Sequence, residues 1–327
     1  MPVFSENFKI IDNLNTQERY IIDYANIKQG IIKYQESFLN FSELNYFYKN
    51  IYTGIPLLLP TKCQSFFNFK NKFYLNKKFF SKKIFQKESF FSKKVFKYGS
   101  EFSDGGKLKE TKIKLFKTII NINIKTANVV QRLKKKGNTV GAFQTRNVPH
   151  FGHQKIIEEM LKKCDYLIIN PVIGPKKIGD LDSTQLNKIF TFFSKNFYDQ
   201  RLIYSPICAN MFYGGPREAC HHANLREKLG FDYFIVGRDH AGANGIYKYN
   251  EAVDAIKRNK KRFKINIICH YGSYYDTNKK IFIVNYKKEL PSNYKDISGT
   301  EFRDHLRRKK FYNFADKLLQ EYIFDTQ

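Results

Sequence analysis

The sequence predicts an α/β protein whose second half is a parallel sheet with helices on both faces. Two observations carry this. From Ala127 onward, short apolar runs alternate with stretches whose apolar residues fall at helical spacing, the pattern of repeated strand–helix–strand units. Before that point the chain is rich in Phe, Lys, Asn and Ser, as in Asn68 to Phe96, and its apolar residues partly alternate as strands do.

Thr139 to Phe143 reads as the first buried strand, and a polar loop follows it. Gln154 to Lys163 reads as a helix, with Ile156, Ile157, Met160 and Leu161 on one face. Tyr166 to Ile173 is the second strand, Thr184 to Phe197 a helix, and Leu202 to Ile207 the third strand. Pro216 to Leu229 is a helix opening at a Gly-Gly-Pro turn, with Pro suited to the first helical turn. Tyr233 to Val236, helical Glu251 to Lys257 and Ile265 to Cys269 complete the alternation. Ligands of such sheets bind beyond the carboxyl ends of the strands. Lys77 to Lys97 reads as either strand-rich or a flexible basic surface segment.

The 327 residues suffice for two domains, or for one large core with an appendage. No run approaches the ~20 apolar residues of a membrane span. The opening Met-Pro-Val-Phe-Ser-Glu-Asn lacks the basic-then-apolar order of a signal peptide. A soluble, cytoplasmic chain with no membrane partner is expected. The net charge of +27 invites a nucleic-acid reading. However, abundant Lys, Asn, Ile, Phe and Tyr without Trp is also what AT-rich codons produce, and no nucleic-acid-binding motif accompanies the charge. Long-range attraction of anionic substrates is a third reading. Five cysteines, Cys63, Cys164, Cys208, Cys220 and Cys269, show no CxxC spacing. They read as free thiols, several of them buried.

The first strand end carries Gln144-Thr145-Arg146-Asn147-Val148-Pro149-His150-Phe151-Gly152-His153. A helix start there offers free N–H groups and a partial positive charge, and imidazoles add donors for a phosphate chain. Arg146 supplies a planar fork for two oxyanion oxygens, while Gln144 and Asn147 supply neutral donors. The set suits a polyanion, with no Ser or Cys nucleophile nearby. The bland alternative is a capped surface loop with incidental histidines. A zinc site would need a third ligand at a recognisable spacing, and none is present.

A second cluster, Gly237-Arg238-Asp239-His240-Ala241-Gly242, follows strand 233–236. Alone, Asp239 could simply pair with Arg238 or cap a turn. The third, Met211-Phe-Tyr-Gly-Gly-Pro-Arg217-Glu218-Ala219, would by itself be only a helix start. The fourth, Ile297-Ser298-Gly299-Thr300-Glu301-Phe302-Arg303, is a small-residue turn that by itself reads first as a helix cap.

Q-T-R-N…H-x-x-H, then G-x-x-K-x-G-D at Gly174 to Asp180, G-P-R-E-A, G-R-D-H-A-G and I-S-G-T-E-x-R together resemble, in order and spacing, the ATP sulfurylases (sulfate adenylyltransferases). The likeness covers roughly residues 139 to 308. The H-x-G-H and I-S-G-T elements also resemble the wider HIGH-type nucleotidylyltransferases. This resemblance implies a Rossmann-like nucleotidylyltransferase domain at 126–270, a β-rich, PUA-like domain at 1–125, and a C-terminal region at 271–327 bearing the I-S-G-T motif.

The resemblance further implies transfer of the adenylyl group of ATP to sulfate, with Mg²⁺ accompanying the ATP and pyrophosphate released. Gln144, Arg146 and the backbone at Ala241 would bind sulfate. Asn147, His150, His153, Gly237, Arg238, Asp239 and His240 would bind ATP. Thr145, Arg146, Asn147, His150 and His153 would act in catalysis, with no protein-held metal, and protonation would help the histidines stabilise charge. A homo-oligomer with no nucleic-acid partner is implied. The chain departs from the family pattern at Val148-Pro149, Asn170-Pro171, Lys176, Met211-Phe-Tyr-Gly-Gly and Ala243-Asn244. Cys269 and His270 stand where bacterial members often carry a zinc-binding cluster whose other ligands are missing here. The alternatives are a nucleotidylyltransferase acting on another anion, such as a sugar phosphate, and a catalytically silent nucleotide-binding protein. These residues contain no G-x-x-x-x-G-K-[ST] loop, and so no fused kinase domain of the kind some relatives carry.

Overall fold

The computed structural model describes residues 8–51, 53–69, 71–75, 100–176, 180–238, 240, 247–297 and 299–326. The expected strand-rich or basic segment at 77–97 lies outside them.

The chain begins with α1 (Phe8–Asp12), α2 (Arg19–Lys28) and α3 (Phe41–Asn50). Five short strands follow: β1 (Leu59–Pro60), β2 (Phe67–Asn68), β3 (Lys72–Leu75), β4 (Ser100–Ser103) and β5 (Lys107–Leu108). They form two antiparallel sheets, β1-β4-β3 and β2-β5. Helices therefore share this region with strands, where the sequence had suggested mainly strands. The physical reason is visible in α2, which is buried on nearly every side, from Tyr20 and Ile21 to Asp23 and Asn26. A helix enclosed all round shows no amphipathic stripe to betray its period. A long helix, α4 (Ile113–Lys134), runs without interruption through residue 125, where the composition changes.

The remainder alternates as expected. β6 (Val140–Phe143), α5 (Phe151–Leu161), β7 (Tyr166–Ile169), β8 (Val172–Ile173), α6 (Ser183–Asn196), β9 (Leu202–Tyr204) and β10 (Ile207–Cys208) come first. Then come α7 (Pro216–Lys228), β11 (Tyr233–Val236), α8 (Glu251–Arg258) and β12 (Asn266–Cys269). The main sheet has the order β12-β11-β6-β7-β9, and all its pairs are parallel. β6, the first of these strands in the chain, is central. The next two lie on one side of it and the last two on the other, so the order reverses between β6 and β11. That is the switch point at which open α/β sheets bind ligands.

Two strands expected to be continuous are each broken by a proline. The N–H of Asn170 still reaches Phe143 O at 2.8 Å, but Pro171 has no N–H to extend the ladder. Ser205-Pro206 interrupts the third strand in the same way. The leftover pieces, β8 and β10, pair with each other in a separate parallel sheet.

Alternate residues of the main sheet enter two cores. Val140, Ala142, Ile168, Phe234 and Val236 join a cluster with α4, α7, α8 and the N-terminal helices. Phe143, Leu167, Ile169 and Ile235 join another with α5, α6 and the C-terminal elements. Helices thus cover both faces.

After β12 the chain forms β13 (Ser273–Asp276), β14 (Ile281–Val284) and β15 (Tyr294–Asp296), an antiparallel sheet ordered β14-β13-β15. It ends in α9 (Gly299–Arg307) and α10 (Lys317–Thr326). The cysteines are free, with only Cys269 less than fully buried. No helix among the described residues is long and apolar enough to cross a membrane.

Candidate active site

The two richest motifs arrive at the carboxyl edge of the sheet on either side of the switch point. Residues 144–153 follow β6, and 237–240 follow β11. Between them lies a cavity of about 450 Å³. Gln144, Thr145, Arg146, Asn147, His150 and His153 line it from the β6 side, with Gly237, Arg238 and His240 from the β11 side. Asp239 and Ala241 fall outside the described residues, as does Ser298.

Thr145 is the hub of the first loop. Its Oγ1 accepts the N–H of Asn147 at 3.1 Å and lies 3.5 Å from His153 Nε2. His153 Nδ1 accepts the N–H of His150 at 3.4 Å. The proton of His153 therefore sits on Nε2, aimed at Thr145. The two imidazoles stack with centroids 3.9 Å apart. Gly152 makes that approach possible, because a Cβ there would stand 2.5 Å from Ser273 Oγ and 3.0 Å from His150. The first N–H of α5, on Phe151, is held by Phe314 O at 2.8 Å. Two buried polar atoms on the cavity wall, Gln144 Oε1 and His150 Nδ1, have no partner among the described residues. Such atoms are costly in an interior and common where a ligand completes the bonding.

Burial sets the charge of the histidines. It holds His150 well below the ordinary imidazole value, with His153 adding to the effect. It pushes His153 down to about 4, helped by His270, and His270 itself to about 4 despite the Gly272 N–H that it accepts. His240 is also held well below its ordinary value, by burial first and then by His222 and Arg226. The expected help from protonated rings is therefore not built into this structure, where the imidazoles are neutral at pH 7. His240 also turns out to be part of a buried network: its Nε2 lies 2.9 Å from His222 Nδ1.

The arginines are fixed at opposite sides. Arg146 Nη1 lies 3.5 Å from Asp180 Oδ2. Arg238 sits between the rings of Tyr249 and Tyr274, 4.3 and 4.8 Å from their centroids, and donates to Tyr274 Oη and Asp296 Oδ1. Stacking and carboxylate pairing together hold each guanidinium plane. Gly237 admits His270 beside this arginine, since a Cβ there would stand 2.8 Å from its Nε2.

The other motifs also converge here. Met211, Lys176, Asp180, Gly299 and Thr300 line the cavity, and Arg303 donates to Asn147 Oδ1. Burial pushes Lys176 down to about 8, opposed by Asp12, Asp180 and Asp182. Sequence reasoning quoted Asp180, Lys176 and Arg303 within motifs without giving them roles. It missed Tyr249 and Tyr274, which carried no signal among 22 tyrosines, and Asp296, which stood in no motif. Among the described residues no group of three or more His, Cys, Asp or Glu is placed to hold a metal ion.

Comparison with known proteins gives this site its context. The chain is similar to the sulfate adenylyltransferase of Staphylothermus marinus, 45% identical over 120 residues that cover 36% of this chain and 31% of that protein. It is 33% identical to that of Persephonella marina over 189 residues, covering 56% and 48%. With that of Carboxydothermus hydrogenoformans it shares 31% over 218 residues, covering 64% and 56%. The matches thus span from about a third to just over half the length of these relatives. In fold the chain resembles the "Hexameric APS kinase from Thiobacillus denitrificans", with a TM-score of 0.62 at 10% identity, covering 95% of this chain and 62% of that one. The ATP-sulfurylase family model matches residues 121–312, more than half of the sequence and every motif described above, so the chain belongs to the ATP-sulfurylase family.

Proposed function

We propose that this protein transfers the adenylyl group of ATP to sulfate, forming adenosine 5′-phosphosulfate and pyrophosphate. One observation supports this above the others: Arg146 and Arg238 rise from neighbouring strand ends across the switch point and line one cavity together with neutral donors. In this reading Gln144 and Arg146, with the backbone at Ala241, take the sulfate. Asn147, His150, His153, Gly237, Arg238, Asp239 and His240 serve the nucleotide. ATP enters as its magnesium complex, the ion carried on the phosphates as part of the substrate.

A sulfate oxygen forms a bond to the α-phosphorus as the bond to the bridging oxygen of pyrophosphate breaks in line. No proton need be removed from sulfate, and no nucleophilic side chain is needed. The protein's tasks are positioning two anions against their repulsion and neutralising charge on the phosphoryl oxygens. A neutral imidazole such as His150, whose Nδ1 has no partner among the described residues, can still donate one hydrogen bond, and the arginines supply fixed positive charge.

The small antiparallel sheets within residues 59–108 support reading the N-terminal region as the family's PUA-like domain. Self-association as a homo-oligomer belongs to the same proposal, and sedimentation tests it.

The decisive assay runs the reaction backwards, with Mg²⁺, pyrophosphate and adenosine 5′-phosphosulfate. ATP forms, because the phosphosulfate anhydride is high in energy. No ATP above a boiled control, with nucleotide binding intact, would turn the assignment to another anionic acceptor.

A further inference from the structure

Tyr213 is a non-glycine residue in the left-handed region, with φ 54°, in the loop between β10 and α7. A tyrosine stays there only if its surroundings impose it. Glu218, fully buried in the first turn of α7, imposes it here. Oε1 accepts the N–H of Phe212 at 2.9 Å, and Oε2 accepts that of Gly214 at 2.7 Å. One carboxylate thus grips the N–H groups of the two residues that flank Tyr213. The conformation sends the side chain toward the cavity's first arginine. Tyr213 Oη donates to Asp180 Oδ2 at 3.1 Å, and its ring centroid lies 5.7 Å from the guanidinium carbon of Arg146. The same Asp180 oxygen is the one 3.5 Å from Arg146 Nη1.

We propose that Tyr213 is a positioning residue for the acceptor oxyanion, with Glu218 as its lock: it holds Arg146 in place and weakens the hold that Asp180 has on it. This rests on the reading of Arg146 as the sulfate ligand. An incoming oxyanion competes with Asp180 for the guanidinium. The Tyr213 hydroxyl occupies the very oxygen that faces Arg146 and so weakens that competition, while the ring confines a long side chain that would otherwise have to be ordered on binding. A tyrosine that merely filled the core would affect stability alone.

The test compares Tyr213→Phe, Arg146→Ala and the double variant. Binding of inorganic sulfate is measured by calorimetry in the presence of a non-hydrolysable ATP analogue, and binding of the analogue is measured separately. Tyr213→Phe weakens sulfate about 3- to 10-fold, as expected for one lost hydrogen bond, and leaves analogue binding within about twofold. Added to Arg146→Ala it has no further effect, because it acts through that arginine. Glu218→Gln, which keeps the volume of the lock and weakens its grip, shifts sulfate binding in the same direction. Equal weakening of both ligands, or an additive loss in the double variant, would overturn the proposal and leave Tyr213 a packing residue. In that case normal sulfate binding by the wild type keeps the parent reading intact. A wild type that binds the analogue and no sulfate overturns both.

Discussion

Arg303, on α9, reaches back to donate to the side-chain oxygen of Asn147 and so joins the last of the motifs in the sequence to the first. The same guanidinium donates to Thr300 Oγ1 at 3.1 Å, which braces the start of its own helix. Asn147 is left with its amide N–H₂ as the end available to a phosphate.

This link predicts the effect of Arg303→Ala. With the brace gone, the Asn147 amide can rotate, and KM for ATP rises about 10-fold, the order expected from loss of one charged hydrogen bond. Sulfate affinity changes little. Steady-state kinetics with each substrate varied in turn provide the check, and an unchanged KM for ATP would show the contact to be structural only.

Arg146→Ala lowers turnover on the order of 10²- to 10³-fold, the loss usual for an oxyanion-stabilising donor. Folding survives, because the side chain is partly exposed on a strand-end loop. Arg146→Lys recovers only part of the rate, since an ammonium lacks the planar fork and stacks less well on Tyr213. Near-normal turnover of the alanine variant would remove Arg146 from the acceptor site.

The histidines make a prediction with a definite sign. Because burial keeps His150 and His153 neutral, kcat/KM is flat from pH 6.5 upward through the range in which free imidazole loses its proton, and it declines only on the acid side. His150→Asn, which keeps a donor, retains more activity than His150→Ala, and a zinc chelator has no effect with excess Mg²⁺ present. An alkaline decline centred near pH 6.5 that disappears in His150→Asn would show that a charged ring is used after all. Elemental analysis showing about one zinc per chain, lost with activity in both variants, would point to a metal role instead.

Stability should follow the same groups. A histidine with a depressed folded value stabilises the fold above its unfolded value of 6.5 and loses that contribution as pH falls toward the folded value. His153 and His270 fall to about 4, His221 to about 3, and His150, His222 and His240 shift the same way. Asp23 and Glu218, raised to about 7 by burial, act oppositely, stabilising below their ordinary values of 3.8 and 4.5 and losing this as pH rises through 7. Six histidines outweigh two carboxyls, so Tm falls between pH 7 and pH 5. Circular dichroism of ligand-free protein measures it, and a rise would mean that the carboxyls dominate.

The sheet was legible in the sequence because each strand was a short apolar run closed by a turn and followed by a helical stripe. What escaped was where two of them stop. Asn170-Pro171 and Ser205-Pro206 lie inside apolar runs, and the missing proline N–H ends the ladder although the hydrophobic pattern continues. The first loop was legible because Arg146, His150 and His153 are uncommon types at close spacing. Tyr249, Tyr274 and Asp296 were not, since they reach Arg238 only through tertiary folding and their residue types are common on any surface. The second helix hid for the opposite reason: α2 is buried on so many sides, with Asp23 and Asn26 satisfied inside, that its pattern carries almost no solvent-facing side.

The central place of β6 has a consequence for synthesis. Its neighbour β11 is translated late: the N–H of Val140 is held by Asp232, 92 residues further along the chain. A ribosome releasing this polypeptide from its N-terminus exposes the apolar edge of β6 well before the strand that covers it exists. The walls of the crevice arrive later still, with Tyr274, Asp296 and Arg303. Nascent chains truncated before about residue 300 should therefore be sticky, dependent on chaperones and unable to retain nucleotide, and competence should appear abruptly once Arg303 has left the ribosome rather than build up gradually.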